Sequence, residues 1–293
     1  MAAAIGIVAF GGLLLWLRPR QLPPPSLSPP RMVTLAERAA AKAEAEAKAS
    51  AGAVTAAPAA AARQGEAPAP RRAAPRVAVV IDDLGDSLHT ARRVLALEPP
   101  VTVAVIPFRE NSAAVAAAAV SNGREVILHL PLEPERDGAM AGGGGFLRTS
   151  MEPRHLEGQL ERDLRAVPYI VGVNGHMGSR FTSDPRAMRT LLTALRARGL
   201  FFLDSKTSPE SVAGELADGL GVPFAERNVF LDHDPSPDAV ARALAVAARV
   251  ARRTGQAIAI GHPHPSTLAA LATWLPAATR DGFEIVPVSA LVR

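Results

Sequence analysis

From Arg76 onward, short hydrophobic runs recur along the chain, each followed by a stretch of helical periodicity. The runs Val77–Ile81, Val101–Ile106, Glu125–Leu130, Ile170–Val173, Leu200–Leu203, Asn228–Leu231, Ala257–Ile260 and Phe283–Val286 predict strands apolar enough to be buried on both faces. Between them the spacing predicts helices over Ser87–Leu97, Ser112–Ser121, Pro153–Ala166, Pro185–Arg198, Pro237–Arg253 and Thr267–Thr279. Pro153, Pro185 and Pro237 stand at first helical positions, where a missing N–H costs nothing. Strands alternating with helices imply an α/β fold, a parallel sheet with its helices outside. About eight such units in roughly 215 residues fit a β/α barrel, complete or distorted, better than an open doubly wound sheet.

Residues 19–75 break this pattern. Leu22-Pro-Pro-Pro-Ser-Leu-Ser-Pro-Pro30 and the Ala/Pro-rich stretch from Ala57 to Pro75 read as extended linker. Ala36 to Lys48 mixes Ala with Glu, Lys and Arg, the composition of a solvated helix with no apolar stripe. Before the linker, Ala2 to Leu17 is uncharged and mostly apolar, and Arg18-Pro-Arg20 closes it. Roughly 16 residues is short for a span that needs about 20, and suits a signal core or a minimal anchor. Pro-rich sequence follows in place of a cleavage site, which favours an uncleaved anchor at 1–18. The arginines lie after the apolar stretch, so the positive-inside rule alone would leave the domain cytoplasmic; a longer basic leader would reverse that. The expected organisation is anchor, tether, and a single domain over 76–293.

Composition changes this picture little. The net charge is +4, but the basic residues are almost all Arg, scattered among acids without aromatic interleaving, so no nucleic-acid partner is expected. The absence of cysteine excludes disulfides, thiolate catalysis and Cys-type zinc sites.

The chemistry collects at the strand ends, where parallel β/α folds place their sites. Val77–Ile81 runs into Asp82-Asp83, and strand alternation would turn these two acids to opposite sides. Capping of the next helix is the plainer use of Asp-Leu-Gly-Asp-Ser. Later strands end in His129-Leu-Pro-Leu-Glu133, Asn174-Gly-His176-Met-Gly-Ser179, Asp204-Ser-Lys206-Thr207, Asp232-His233-Asp234 and Gly261-His262-Pro-His264. Five of the seven histidines fall at these rims; His89 and His155 fall in helical segments. Clustered carboxylates repel unless a cation or a catalytic demand offsets them. Asp and His ligands suit zinc or a similar divalent ion with a water position open, a centre for hydrolysis.

Together, Val80-Ile-Asp-Asp-Leu-Gly85, His129-Leu-Pro-Leu-Glu-Pro134, Asn174-Gly-His-Met-Gly-Ser179, Asp204-Ser-Lys-Thr207, Arg227-Asn-Val-Phe-Leu-Asp232 and Ala259-Ile-Gly-His-Pro263 resemble the divergent polysaccharide deacetylase family. That family is related to the NodB-homology carbohydrate esterases. The resemblance spans Arg76 to Arg293. It implies a distorted, NodB-like barrel of about seven parallel strands in an exported protein, here a domain anchored in a bacterial inner membrane and facing the periplasm. It implies Asp82 as general base, Asp83 and His129 as metal ligands, and His262 as the acid that protonates the leaving group. Glu133 stands where such relatives carry a second histidine, so the third ligand is Glu133 or His176. Asn174, Ser179, Asp204, Asp232 and His264 are expected around the substrate. The Arg-x-Pro motif of such relatives has no counterpart, and Asn174-Gly-His176 occupies its place. The implied activity is metal-dependent removal of acyl groups from an envelope carbohydrate. Loss of Arg-x-Pro keeps a second reading open, a catalytically silent carbohydrate-binding or scaffold domain. The Gly-rich stretch at 138–146 is expected either to frame the groove or to be a plain surface loop.

Overall fold

Arg76–Leu84 forms β1 because both of its faces are apolar: Val77, Val79 and Ile81 pack to one side, Ala78 and Val80 to the other. The computed structural model describes residues 73–136 and 145–293. After β1 come α1 (Leu88–Leu95), β2 (Thr102–Val105), α2 (Ser112–Ser121), β3 (Val126–Leu132), α3 (Pro153–Ala166), β4 (Gly172–Met177) and a single turn, α4 (Ser179–Thr182). The chain continues through α5 (Pro185–Arg196), β5 (Phe201–Asp204), α6 (Ala213–Leu220), β6 (Phe224–Glu226), β7 (Val229–Phe230), α7 (Pro237–Thr254), β8 (Gln256–Gly261), α8 (Pro265–Arg280) and β9 (Glu284–Ile285). A 3-10 turn, Val288–Leu291, follows.

The strands form one nine-stranded sheet in the order β6-β5-β4-β3-β2-β1-β8-β7, with β9 added to β1, and every pairing is parallel. It curls into a half-barrel that stays open between β6 and β7. This is the distorted β/α barrel the pattern implies. One core lies between the outer sheet face and the helices, and a second fills the interior with Ala78, Val80, Ala104, Ile127, Phe201, Leu203, Ile258 and Ile260. The C-terminal segment stops the lower end. Val288 and Leu291 are buried in that inner cluster, the Val288 N–H donates to Thr102 Oγ1, and Arg293 exchanges two backbone hydrogen bonds with Phe224 of β6.

Besides the single turn α4 and the 3-10 turn, α6 and β6 were not legible in the pattern. α6, Ala-Gly-Glu-Leu-Ala-Asp-Gly-Leu, carries two glycines that lower its helix propensity, and β6 has only three residues. The strand expected at Asn228–Leu231 shrinks to Val229–Phe230. The expected anchor, nearly all of the linker and most of the Gly-rich stretch lie outside the described residues. Among the described residues, no helix is long and apolar enough to cross a membrane.

Candidate metal centre and active-site cleft

Period-two alternation that fills the barrel with aliphatic side chains also builds the site. On β1 the inward row reads Ala78, Val80, Asp82; on β3, Ile127 then His129; on β8, Ile258 and Ile260, then His262 just past the strand. β3 and β4 pair His129 with Asn174 and Pro131 with His176, so both β4 residues join the same layer. The polar residues are the top courses of the apolar interior.

Asp83 departs from the alternation. Ile81 pairs with Val103 but Leu84 with Val105, so β1 carries one extra residue here. Asp83 takes φ +58°, a left-handed conformation that Asp tolerates better than most residues. The expectation that the two acids diverge to opposite sides is therefore corrected: the bulge turns Asp83 back, and both acids line one cleft of about 470 Å³. Their surroundings still differ, Asp82 being buried and Asp83 half-buried.

Three ligand atoms converge at the floor of the cleft. Asp83 Oδ1 lies 3.1 Å from His129 Nε2 and 3.0 Å from His176 Nδ1, and the two nitrogens are 3.1 Å apart. Asp83 Oδ1 is buried yet meets no donor in hydrogen-bonding geometry. Three atoms about 3 Å apart are what a shared ion with bonds of roughly 2.0–2.2 Å would hold together. The group fits a divalent metal by donor type, spacing and the orphaned oxygen.

The next layer fixes these groups. Asn174 Oδ1 accepts from His129 Nδ1 at 2.9 Å, which leaves Nε2 turned to the ligand cluster, and Asn174 Nδ2 donates to Asp82 Oδ1 at 2.9 Å. Burial raises the Asp82 pKa above the ordinary carboxylate range, against the opposing pull of His129 and Asn174. Burial pushes Asp83 the same way, but His129 and His176 overcome it and hold that carboxyl well below its usual range. Burial disfavours charge on His129, yet Asp82 and Asp83 bring its pKa up to about 9.

On the opposite wall, Asp232 is bound on both oxygens. Oδ2 accepts from the His262 N–H (2.6 Å) and Thr267 Oγ1 (2.8 Å), and Oδ1 accepts from His262 Nδ1 (3.0 Å). Gly261 permits this approach, since a Cβ there would meet Asp232 Oδ2 at 3.2 Å and Leu231 Cβ at 3.1 Å. With Nδ1 engaged, His262 presents Nε2 to the cleft, 3.8 Å from Asp83 Oδ2. Burial disfavours the charged ring, but Asp232, Asp83 and Asp82 raise its pKa. Asp232, His262 and His264 also cluster; within that group Asp232 accepts three hydrogen bonds, two of them from His262, and forms a hydrogen-bonded pair with it.

Of the two alternatives for a third ligand, His176 reaches the cluster. Glu133 is drawn aside by Thr149, whose N–H and Oγ1 donate to Glu133 Oε2 at 2.6 and 2.8 Å. The residues expected around the substrate do not line the cleft surface. Asn174 bridges His129 and Asp82, and Asp232 backs His262. Asp204 accepts from the Lys206 N–H and Ser211 Oγ, Ser179 Oγ accepts from the Glu135 N–H, and exposed His264 stands at the N-cap position of α8 without a side-chain capping bond. Surface residues that sequence reasoning left out include Met177, Ser205, Thr207, Arg227 and Phe230. Arg227 and Phe230 were within reach, as they belong to the Arg227–Asp232 motif.

Residues 79–292 match the family model described as divergent polysaccharide deacetylase, a span that holds every residue of the cluster. The chain belongs to that family. Its relatives include an uncharacterized protein of Haemophilus influenzae, 38% identical over 199 residues, covering 68% of this chain and 70% of that protein. The uncharacterized protein YibQ of Escherichia coli K12 is 37% identical over 202 residues, and the match covers 68% of this chain but only 61% of that protein. Among solved structures, the crystal structure of an uncharacterized protein from Agrobacterium tumefaciens C58 has a TM-score of 0.72 at 30% identity, covering 77% of this chain and 92% of that one. This chain and that solved protein share the fold.

Proposed function

We propose that this divergent deacetylase is a metal-dependent hydrolase that removes acyl groups from a cell-envelope carbohydrate, held at a bacterial inner membrane by its N-terminal segment with the domain in the periplasm. The observation that carries the reading is the convergence of Asp83 Oδ1, His129 Nε2 and His176 Nδ1 within 3.1 Å on an oxygen with no hydrogen bond. These three residues would hold the metal, zinc by their donor set. When bound, the ion would polarise the acyl carbonyl and lower the pKa of water.

The chain's own groups do the proton work. Asp82, with a pKa raised by burial, is held by Asn174 and takes the proton from the attacking water. His262, whose charged form Asp232 favours, gives its Nε2 proton to the leaving amine or alcohol as the acyl bond breaks. Asn174 keeps the His129 ring and the Asp82 carboxylate in fixed register.

The test is acetate release from acetylated glycans by the zinc-loaded protein and by Asp82→Asn. Release that falls at least about 100-fold in the variant, with metal content unchanged, is the expected result, in line with the usual worth of a general base. Metal-loaded wild-type protein that binds the glycans without releasing acetate would overturn the hydrolase reading in favour of a carbohydrate-binding domain.

A further inference from the structure

Arg227 lies in the gap between β6 and β7 and forms part of the cleft wall, half-buried. Its guanidinium is fixed at three points. Nε donates to the Ser205 carbonyl at 2.6 Å, Nη2 donates to the Lys206 carbonyl at 3.0 Å, and Cζ sits over the Phe230 ring, 4.9 Å from its centroid. A guanidinium carries five N–H donors in a rigid fork. Two are used here, and the others have no acceptor among the described residues.

Nor does Arg227 have a carboxylate partner among the described residues. Neighbouring Lys206 is paired with Glu226 at 3.0 Å. The acids whose field reaches Arg227 are Asp204 and Asp82. Asp204 is bound by the Lys206 N–H and Ser211, and Asp82 by Asn174. A partly desolvated cation, immobilised and unpaired on a cleft wall, is costly unless a ligand brings the counter-charge. Phe230 beneath it meets the His262 ring edge-on at 5.4 Å, so an anion at Arg227 would sit on the same wall as the proposed acid.

We infer that Arg227 is a specificity residue that reads an oxyanion on the substrate, making the preferred glycan acidic, with a carboxylate or phosphate on the sugar beside the acylated one. The sugar in this statement rests on the deacetylase reading; the oxyanion rests on Arg227 alone. The competing role is a brace for the turn at Ser205-Lys206, where Lys206 has φ +49°.

The experiment uses the metal-loaded full chain, with calorimetric binding and acetate release measured on three acetylated oligosaccharides of one backbone: neutral, carboxylated and phosphorylated. Wild type is expected to bind one acidic ligand about tenfold or more tighter than the neutral one, as charge-assisted hydrogen bonds do. That ratio should shrink between about 50 and 500 mM salt. Arg227→Met should bring it to about one, and Arg227→Lys should leave an intermediate value, since charge is kept and the fork lost. Whether carboxylate or phosphate binds tighter identifies the source of the anion. Equal binding of all three by wild type, absent binding included, overturns the inference. So does an Arg227→Met protein that loses affinity for all three by one factor, the signature of a brace. If that variant does not fold, salt decides on wild type alone, and equal salt response of neutral and acidic ligands overturns the inference. Anion preference without acetate release would remove the hydrolase reading and leave Arg227's role; release without preference would do the reverse.

Discussion

His262 shows how the site sets a single proton. Its Nδ1 is tied to Asp232, and that bond, followed by the charges of Asp83 and Asp82, raises its pKa against the effect of burial. As the proposed acid it must be protonated, so activity falls as pH rises through its pKa. Asp232→Asn removes the foremost raising cause. The alkaline limb of the kcat/KM–pH profile should then move to lower pH by about one unit, equivalent to roughly 1.4 kcal/mol. A limb that stays in place would mean that Asp232 is only structural. At this scale the sequence was readable wherever a polar residue ended an apolar strand, as with Asp82, His129, His176 and His262. It was not readable where a distant partner decides. The choice between His176 and Glu133 turns on Thr149, and the shared cleft of Asp82 and Asp83 turns on a bulge that is visible only in the β1–β2 register.

Helix α3 carries its own anomaly. Leu156, Leu160 and Asp163 follow the i, i+4, i+7 spacing of a buried stripe, so an acid occupies a core position. Gln159 donates to Asp163 Oδ1 at 2.8 Å, while Oδ2 is buried without a partner. Burial raises its pKa to about 7, against the weaker pull of Gln159 and Arg162. A carboxyl whose pKa is raised by folding favours the native state while protonated. Its contribution is complete below the ordinary value of 3.8 and is lost as pH climbs through about 7. Wild-type stability should therefore decline between about pH 4 and 7, on the order of 2–4 kcal/mol from this group. Asp163→Asn should flatten that decline in denaturant melts. An unchanged slope would show that Asp163 is ionised in the native protein. The α3 stripe and the proline-started helices α5 and α7 were legible because their patterns are local. α6 and β6 were not, since their glycines and brevity leave tertiary packing to define them.

Across the whole molecule, one rule of alternation accounts for both halves of the barrel. Inward rows are aliphatic below and ionisable above, while the C-terminal segment stops the lower end with Val288 and Leu291. Composition and strand–helix alternation were enough for the α/β class and the parallel sheet. The opening between β6 and β7 depends on two very short strands and was not legible. That opening matters, because Arg227 and Phe230 enter the cleft beside it. The upper end gathers two acids and three histidines from β1, β3, β4 and the end of β8 into one cleft, and an ion held by Asp83, His129 and His176 would tie three strands of the sheet together. Any ion that binds only the folded chain must also raise its melting temperature by mass action. The most direct measurement is therefore zinc content, read alongside zinc-dependent melting, for wild type, Asp83→Asn, His129→Asn, His176→Asn and Glu133→Gln. The account predicts about one ion per chain and a zinc-dependent rise in melting temperature for wild type and Glu133→Gln, with both lost in the other three. Wild-type protein that takes up no metal, or retention of the ion in Asp83→Asn and His176→Asn with loss in Glu133→Gln, would contradict it.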